Sequence, residues 1–156
     1  MPYPSLVLSP RHPPPAAALG RLSEGLLGAA LYAFAIVAID FLARAGAFGH
    51  DWFGAGRTRA GDIVGGDVWR CVTALTLHAD LAHLLSNLCF GGLFVFLSCE
   101  VLGAGFGLCA IGAAGALGNL LNALLRPPDH TSIGASTAVF GALGLLVAYQ
   151  WMRRNV

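Results

Sequence analysis

The sequence predicts an all-α membrane protein, a polytopic bundle of transmembrane helices, on three observations. Only 11% of the 156 residues are charged, against about a quarter in an ordinary soluble domain. Hydrophobic residues make up 56% and the mean hydropathy is +0.71. The apolar residues gather in four runs, each near the ~20 residues that a helix needs to cross a hydrocarbon core. So few charges cannot clothe a globule in polar surface, which makes lipid the solvent for most of the chain. Nine arginines, no lysine and eight acids give a net charge of +1. That balance offers no basic field for nucleic acid and no acidic tail.

Residues 1–24 read as a proline-rich N-terminal tail, with proline at positions 2, 4, 10, 13, 14 and 15, a composition that disfavours packing. Residues 25–156 read as the transmembrane domain. Its first span, 25–48, is uncharged from Gly25 to Ile39, and Asp40 and Arg44 then follow four residues apart, where they can pair on one helix face. A secretory signal is the simpler rival, because Ala43-Arg44-Ala45 has the small-x-small form of a cleavage site. The stretch is longer than a signal's apolar core, ends too far along the chain and lacks a basic leader, so a span is the better reading.

The connection 49–77 mixes Asp51, Arg57, Arg59, Asp62, Asp67 and Arg70 with Trp52, Phe53 and Trp69. Charges interleaved with such aromatics suit the membrane surface. Leu81–Cys99, Val101–Leu125 and Thr131–Met152 are uncharged runs of 19, 25 and 22 residues. They give the second, third and fourth spans, with a very tight hairpin between the second and third. Orientation does not follow from charge, because four arginines fall toward one side and five toward the other.

The informative residues are polar ones at membrane depth. LHADLAHLLSNLCFGG opens the second span with His78, His83 and Asn87. His83 and Asn87, four apart, share a helix face, and Gly91 continues it with no side chain. Taken singly, each is more often glue between helices than a catalyst. Together, an amide and an imidazole facing one cavity could hold an oxyanion. A metal site is disfavoured, because His78 and His83 diverge at five-residue spacing with only Asp80 nearby.

The third span is rich in glycine, with Gly107, Ile111, Gly115 and Asn119 on one stripe, which reads as close helix packing. Asn119 and Asn122 are expected to hydrogen-bond at the far interface. Cys71, Cys89, Cys99 and Cys109 form no CxxC pair and read as small buried hydrophobes rather than a disulfide or metal set. The fourth span opens with GASTAVFG. A transmembrane serine usually satisfies itself on a carbonyl one turn back. Ser136, however, stands near a helix start, where free N–H groups favour an anion, and on the same side as the start of the second span. GASTA lacks the second glycine of a soluble-hydrolase elbow, and no strand precedes it. The absence of lysine excludes a phosphate-binding P-loop.

VWRCVTALTLHADLAHLLSN, Glu100 followed by Gly103, and GASTAVFGALG together resemble the rhomboid intramembrane serine proteases, over residues 66–152. The specific element is H-x4-H-x3-N followed, 49 residues after the asparagine, by G-x-S at a helix start. The resemblance implies a rhomboid-like bundle in which Ser136 is the nucleophile, His83 and Asn87 are oxyanion donors, and His78 is an accessory residue. Glu100 would hold the end of the second span. It implies cleavage of transmembrane protein substrates within the lipid bilayer, no cofactor and no metal. It further implies an integral, multi-pass protein of a bacterial inner membrane.

Two departures accompany the resemblance. Thr137 stands where the family usually has glycine, and its side chain is expected to crowd the neighbouring helix. The family's general-base histidine lies on a later span, and no such residue follows the fourth span here. The expectation is therefore the first four of six core spans, incomplete at the C-terminus. The alternative is a rhomboid-like pseudoprotease that binds transmembrane segments without cleavage. An unrelated membrane protein with a polar pathway along His83, Asn87 and Asn119 would leave the co-occurring motifs unexplained.

Overall fold

The computed structural model describes residues 15–155. Most of the expected tail, residues 1–14, lies outside them. Helix α1 spans Pro15–Arg44, so it starts ten residues before the apolar run. Proline suits a first turn, where its missing N–H costs nothing, and the alanines and leucines that follow are strong helix formers. The second apolar segment is continuous from Leu81 to Leu102: α5 (Leu81–Ser86), a π-helical turn (Asn87–Gly91) and α6 (Gly92–Leu102). Gly103, at φ 81°, turns the chain into α7 (Ala104–Leu125).

Ala18–Arg44, Leu81–Leu102 and Ala104–Leu125 are each long and apolar enough to cross a membrane. The fourth helix, Ser136–Asn155, becomes polar at its end, with Gln150, Arg153 and Arg154. Its 20 residues still extend about 30 Å at 1.5 Å per residue.

The connection after α1 folds into a 3₁₀ turn and short pieces: α2 (Trp52–Gly56), β1 (Thr58–Arg59), α3 (Ala60–Val64) and α4 (Arg70–Thr73). β1 pairs antiparallel with β2 (Thr131–Ser132), Thr58 opposite Ser132 and Arg59 opposite Thr131. The last helix is α8. Helix α1 packs mainly on α6, α7 packs on α8, and α3 and α4 lie on α7.

The core is built from small side chains: Cys99, Ala104, Ala138 and Ala142 with Val95 and Ile111. Phe34, Phe41, Phe106, Leu125, Phe140 and Trp151 point outward, as a bundle solvated by lipid requires. The predicted glycine packing is present. A Cβ on Gly115 would stand 2.8 Å from that of Ala138, and one on Gly141 would stand 2.7 Å from that of Ala114. Only glycine therefore lets α7 and α8 approach so closely. Cys71 and Cys99 are buried as expected, whereas Cys89 and Cys109 are exposed; on a lipid-facing surface a thiol is still in apolar surroundings.

Glu100 was expected to hold the end of the second span. At the turn that follows, the carboxylate that bonds is Glu24 of α1, which accepts the N–H of Ala104 at 2.7 Å. An acid at a helix start satisfies a free donor and complements the helix dipole. Glu100 is half-buried on α6 and has no hydrogen-bonded role among the described residues.

Candidate active site

Asp80 caps α5 by accepting the N–H of His83 at 2.8 Å. This fixes the first turn and aims the His83 imidazole at the loop before α8. There Gly134 takes φ 120°, a conformation that side chains resist. A Cβ at Gly134 would collide with the Cε1–Nε2 edge of the His83 ring. Glycine is thus required twice over, and the imidazole lies flush against the backbone two residues before Ser136. The loop is held there by the Gly134 N–H, which donates to the carbonyl of Ala74 at 2.8 Å.

Asn87, one turn after His83, is buried and donates one amide N–H to the His83 carbonyl at 3.1 Å. A primary amide has two donors, so one remains. Asn87 opens the π turn, a distortion frequent at functional sites, and its carbonyl accepts from the Tyr32 hydroxyl at 3.0 Å. Tyr32 and Val139 fill the space that Gly91 leaves open. Ser136 is the first residue of α8 and half-buried, with the unsatisfied N–H groups of a helix start around it.

His78 is fully enclosed, at 0% exposure. Neither ring nitrogen has a hydrogen-bond partner among the described residues. Its ring meets that of His83 edge-on, centroids 5.2 Å apart, and Asp40 lies 3.7 Å from its Nδ1. Burial, reinforced by His83, pushes its pKa below the ordinary histidine value. The backbone of His78 is gripped from α1: its N–H donates to Asp40 at 3.1 Å and its carbonyl accepts from Arg44 at 2.8 Å. Asp40 and Arg44 pair at 2.7 Å, as their spacing indicated. What the spacing could not indicate is that the pair is a clamp on the histidine loop.

A second clamp lies on the other side of Ser136. Thr137 donates its hydroxyl to Asn119 at 3.1 Å, and Asn119 donates its amide to the carbonyl of Cys71 at 2.9 Å. The expected crowding is relieved by Gly118, where even an added Cβ would keep 3.6 Å from Thr137. Asn119, expected at the far interface, is inside at 4% exposure. Asn122 does sit near the helix end, between His130 and Arg126. Among the described residues no three His, Cys, Asp or Glu side chains converge on one point.

Residues 65–156 match the family model of the Rhomboid domain, more than half of the chain. The chain is 34% identical over 83 residues to "Putative rhomboid protease YdcA" of Bacillus subtilis (strain 168), covering 53% of this chain and 42% of that protein. It is 35% identical over 85 residues to "RHOMBOID-like protein 7" of Arabidopsis thaliana, covering 52% and 26%. It is 42% identical over 82 residues to "Rhomboid-like protease 3" of Toxoplasma gondii, covering 52% and 30%. The matches thus span less than half the length of these relatives. No solved structure matches. On the family match and the helical bundle that carries it, this chain belongs to the rhomboid family of membrane proteins.

Proposed function

We propose that the chain carries the nucleophile and oxyanion site of an intramembrane serine endopeptidase acting on transmembrane protein substrates. The observation that carries this reading is the His83 ring packed on Gly134, with Asn87 one turn further along the same helix. On this reading the His83 imidazole and the free amide N–H of Asn87 serve the start of α8, where Ser136 supplies both an Oγ and a backbone N–H. On this reading Ser136 Oγ attacks a peptide carbonyl and its proton passes to a base. The N–H groups of Ser136, Asn87 and His83 receive the negative oxygen, an effect usually worth about 3 kcal/mol per donor. The amine leaves with a proton, and water then hydrolyses the acyl-serine. His78 packs against His83 and steadies its ring.

The base, on this reading, comes from outside the described residues. His83 is committed to the oxyanion side, His78 is enclosed beside Asp40, His130 lies against Asn122, and His50 lines the apolar cavity of the connection with Trp52 and Trp69. A serine without a base is a weak nucleophile at neutral pH. Three helices long and apolar enough to span support an integral membrane protein, and a bacterial inner membrane is part of the same proposal.

The test is labelling of the 156-residue chain, in neutral detergent, by a fluorophosphonate probe. Alone, the chain should label no better than Ser136→Ala. Added imidazole, acting as a free base, should produce labelling that Ser136→Ala abolishes and His83→Ala or Asn87→Ala weakens. Strong labelling without imidazole would place the base inside the chain. No labelling with it, alongside retained binding of a transmembrane peptide, would favour a rhomboid-like pseudoprotease.

A further inference from the structure

The surface connection contains a polar cavity of about 240 Å³, lined by Arg57, Arg59, Arg70, Asp62, Asp129 and Thr131. Arg70 is already committed. Its guanidinium binds Asp67 and the carbonyls of Gly54 and Arg57, and it pairs with Asp62 at 3.4 Å. Arg57 and Arg59 are different: among the described residues the ion pairs involve Arg44, Arg70 and His78, and neither of these two. They flank Thr58, so strand alternation projects both to one side while Thr58 turns inward to Ser132. Arg70 is shared between Asp62 and Asp67, and Arg57 and Arg59 are the two lining guanidinium groups without an ion pair. The cavity's own walls carry three arginines against Asp62 and Asp129, and Thr131, opposite Arg59 in the strand pair, adds a hydroxyl.

Its depth in the membrane follows from its neighbours. Trp69 immediately precedes Arg70, and Trp52 ties its indole N–H to the carbonyl of Ala47 at 2.9 Å; tryptophans settle at headgroup level. Ala55, Gly56 and Trp69, chain neighbours of Gly54, Arg57 and Arg70 in the polar cavity, line a separate apolar cavity of about 330 Å³ together with Trp52, Ile39 and Leu77. A basic cavity beside an apolar one, at this depth, matches a molecule that is anionic at one end and hydrocarbon at the other.

We propose that Arg57 and Arg59 form a binding site for the phosphate of an anionic phospholipid headgroup. Guanidinium groups suit phosphate oxygens through paired N–H donors. Arg57 precedes and Arg59 ends β1, which is hydrogen-bonded to the strand that leads, four residues on, to Ser136. Bound lipid therefore braces the loop entering α8. This site stands or falls independently of the proteolytic reading.

The test uses the full chain in phosphatidylcholine nanodiscs doped with spin-labelled phosphatidylglycerol or phosphatidylcholine. The preference for phosphatidylglycerol among immobilised lipids should fall about fivefold for each arginine replaced by glutamine, the usual contribution of a basic residue at a membrane surface. Arg57→Lys with Arg59→Lys, which keeps the charge, should retain most of the preference and serves as the check on folding. A wild type without preference, or an Arg57→Gln/Arg59→Gln double variant that keeps it, overturns the proposal. So does loss of the preference to excess inorganic phosphate at constant ionic strength, which would make free phosphate the ligand.

Discussion

The helical bundle and the surface connection are held together by opposite means. Between α7 and α8 close fit dominates, with the Thr137–Asn119 bond beside it: Gly115 meets Ala138, and Gly141 meets Ala114. Lipid is as apolar as the side chains, so burying them against each other gains little unless the backbones come very close. The connection, residues 45–80, is tied by polar groups. Arg70 gathers four partners, Thr58 locks onto Ser132, the Ala60 and Gly61 N–H groups bind the carbonyls of His130 and Pro128, and Asp40 with Arg44 holds His78. At a wet interface each such bond has water as a competitor, so the segment needs many of them. The candidate site, with His83 against Gly134 and Ser136 two residues on, lies where the two regimes join. Both therefore set its geometry, and they fail differently.

Perturbing each regime should separate them, with stability read by SDS titration in mixed micelles. The largest loss is expected at Asp40→Ala, which leaves the buried His78 N–H without its acceptor while the exposed Arg44 loses a partner that water can replace; an unsatisfied buried donor costs up to about 3 kcal/mol. Gly115→Leu should cost about 2 kcal/mol by forcing α7 from α8, while leaving the connection's backbone amides protected from hydrogen exchange. Arg70→Met should do the reverse: a loss of about 2 kcal/mol with fast exchange confined to residues 54–73. A smaller effect, about 1 kcal/mol, is expected for Asn119→Leu, and Thr137→Val should add little to it, because the two form one bond.

The smallest effect concerns pH. The folded pKa of His78 is lowered by burial and by His83, so the unfolded chain binds the proton more readily. Stability should be level above about pH 6.5, where both states are neutral, and decline as pH falls below it. In His78→Gln that slope should shrink; an unchanged slope would mean that His78 protonates freely when folded.

Much of the site could be read before folding. The i, i+4 spacing put His83 and Asn87 on one face, the position of GASTAVFG put Ser136 at a helix start, and parallel spans put both at one end. The Asp40–Arg44 pair was legible for the same reason, since helical neighbours are fixed by the pitch. Contacts distant in sequence were not. Glu24 reaches Ala104 across 80 residues and Asn119 reaches Cys71 across 48. The sequence could name polar groups in need of partners without saying which would meet. Glu100 was named from the family resemblance, while the part of Glu24 depends on α1 packing beside the turn; Thr137 looked obstructive because the gap at Gly118 is visible only when the helices are packed.

Composition and periodicity by themselves determined the lipid solvent, the helices and the local faces, because these depend on side-chain polarity and the 3.6-residue turn. Tertiary structure alone decided that α1 clamps His78, that Gly134 seats the His83 ring, and that Arg57 and Arg59 are left facing a cavity. Those outcomes depend on which surfaces meet, and a helix carries no record in its own pitch of the neighbour it will touch.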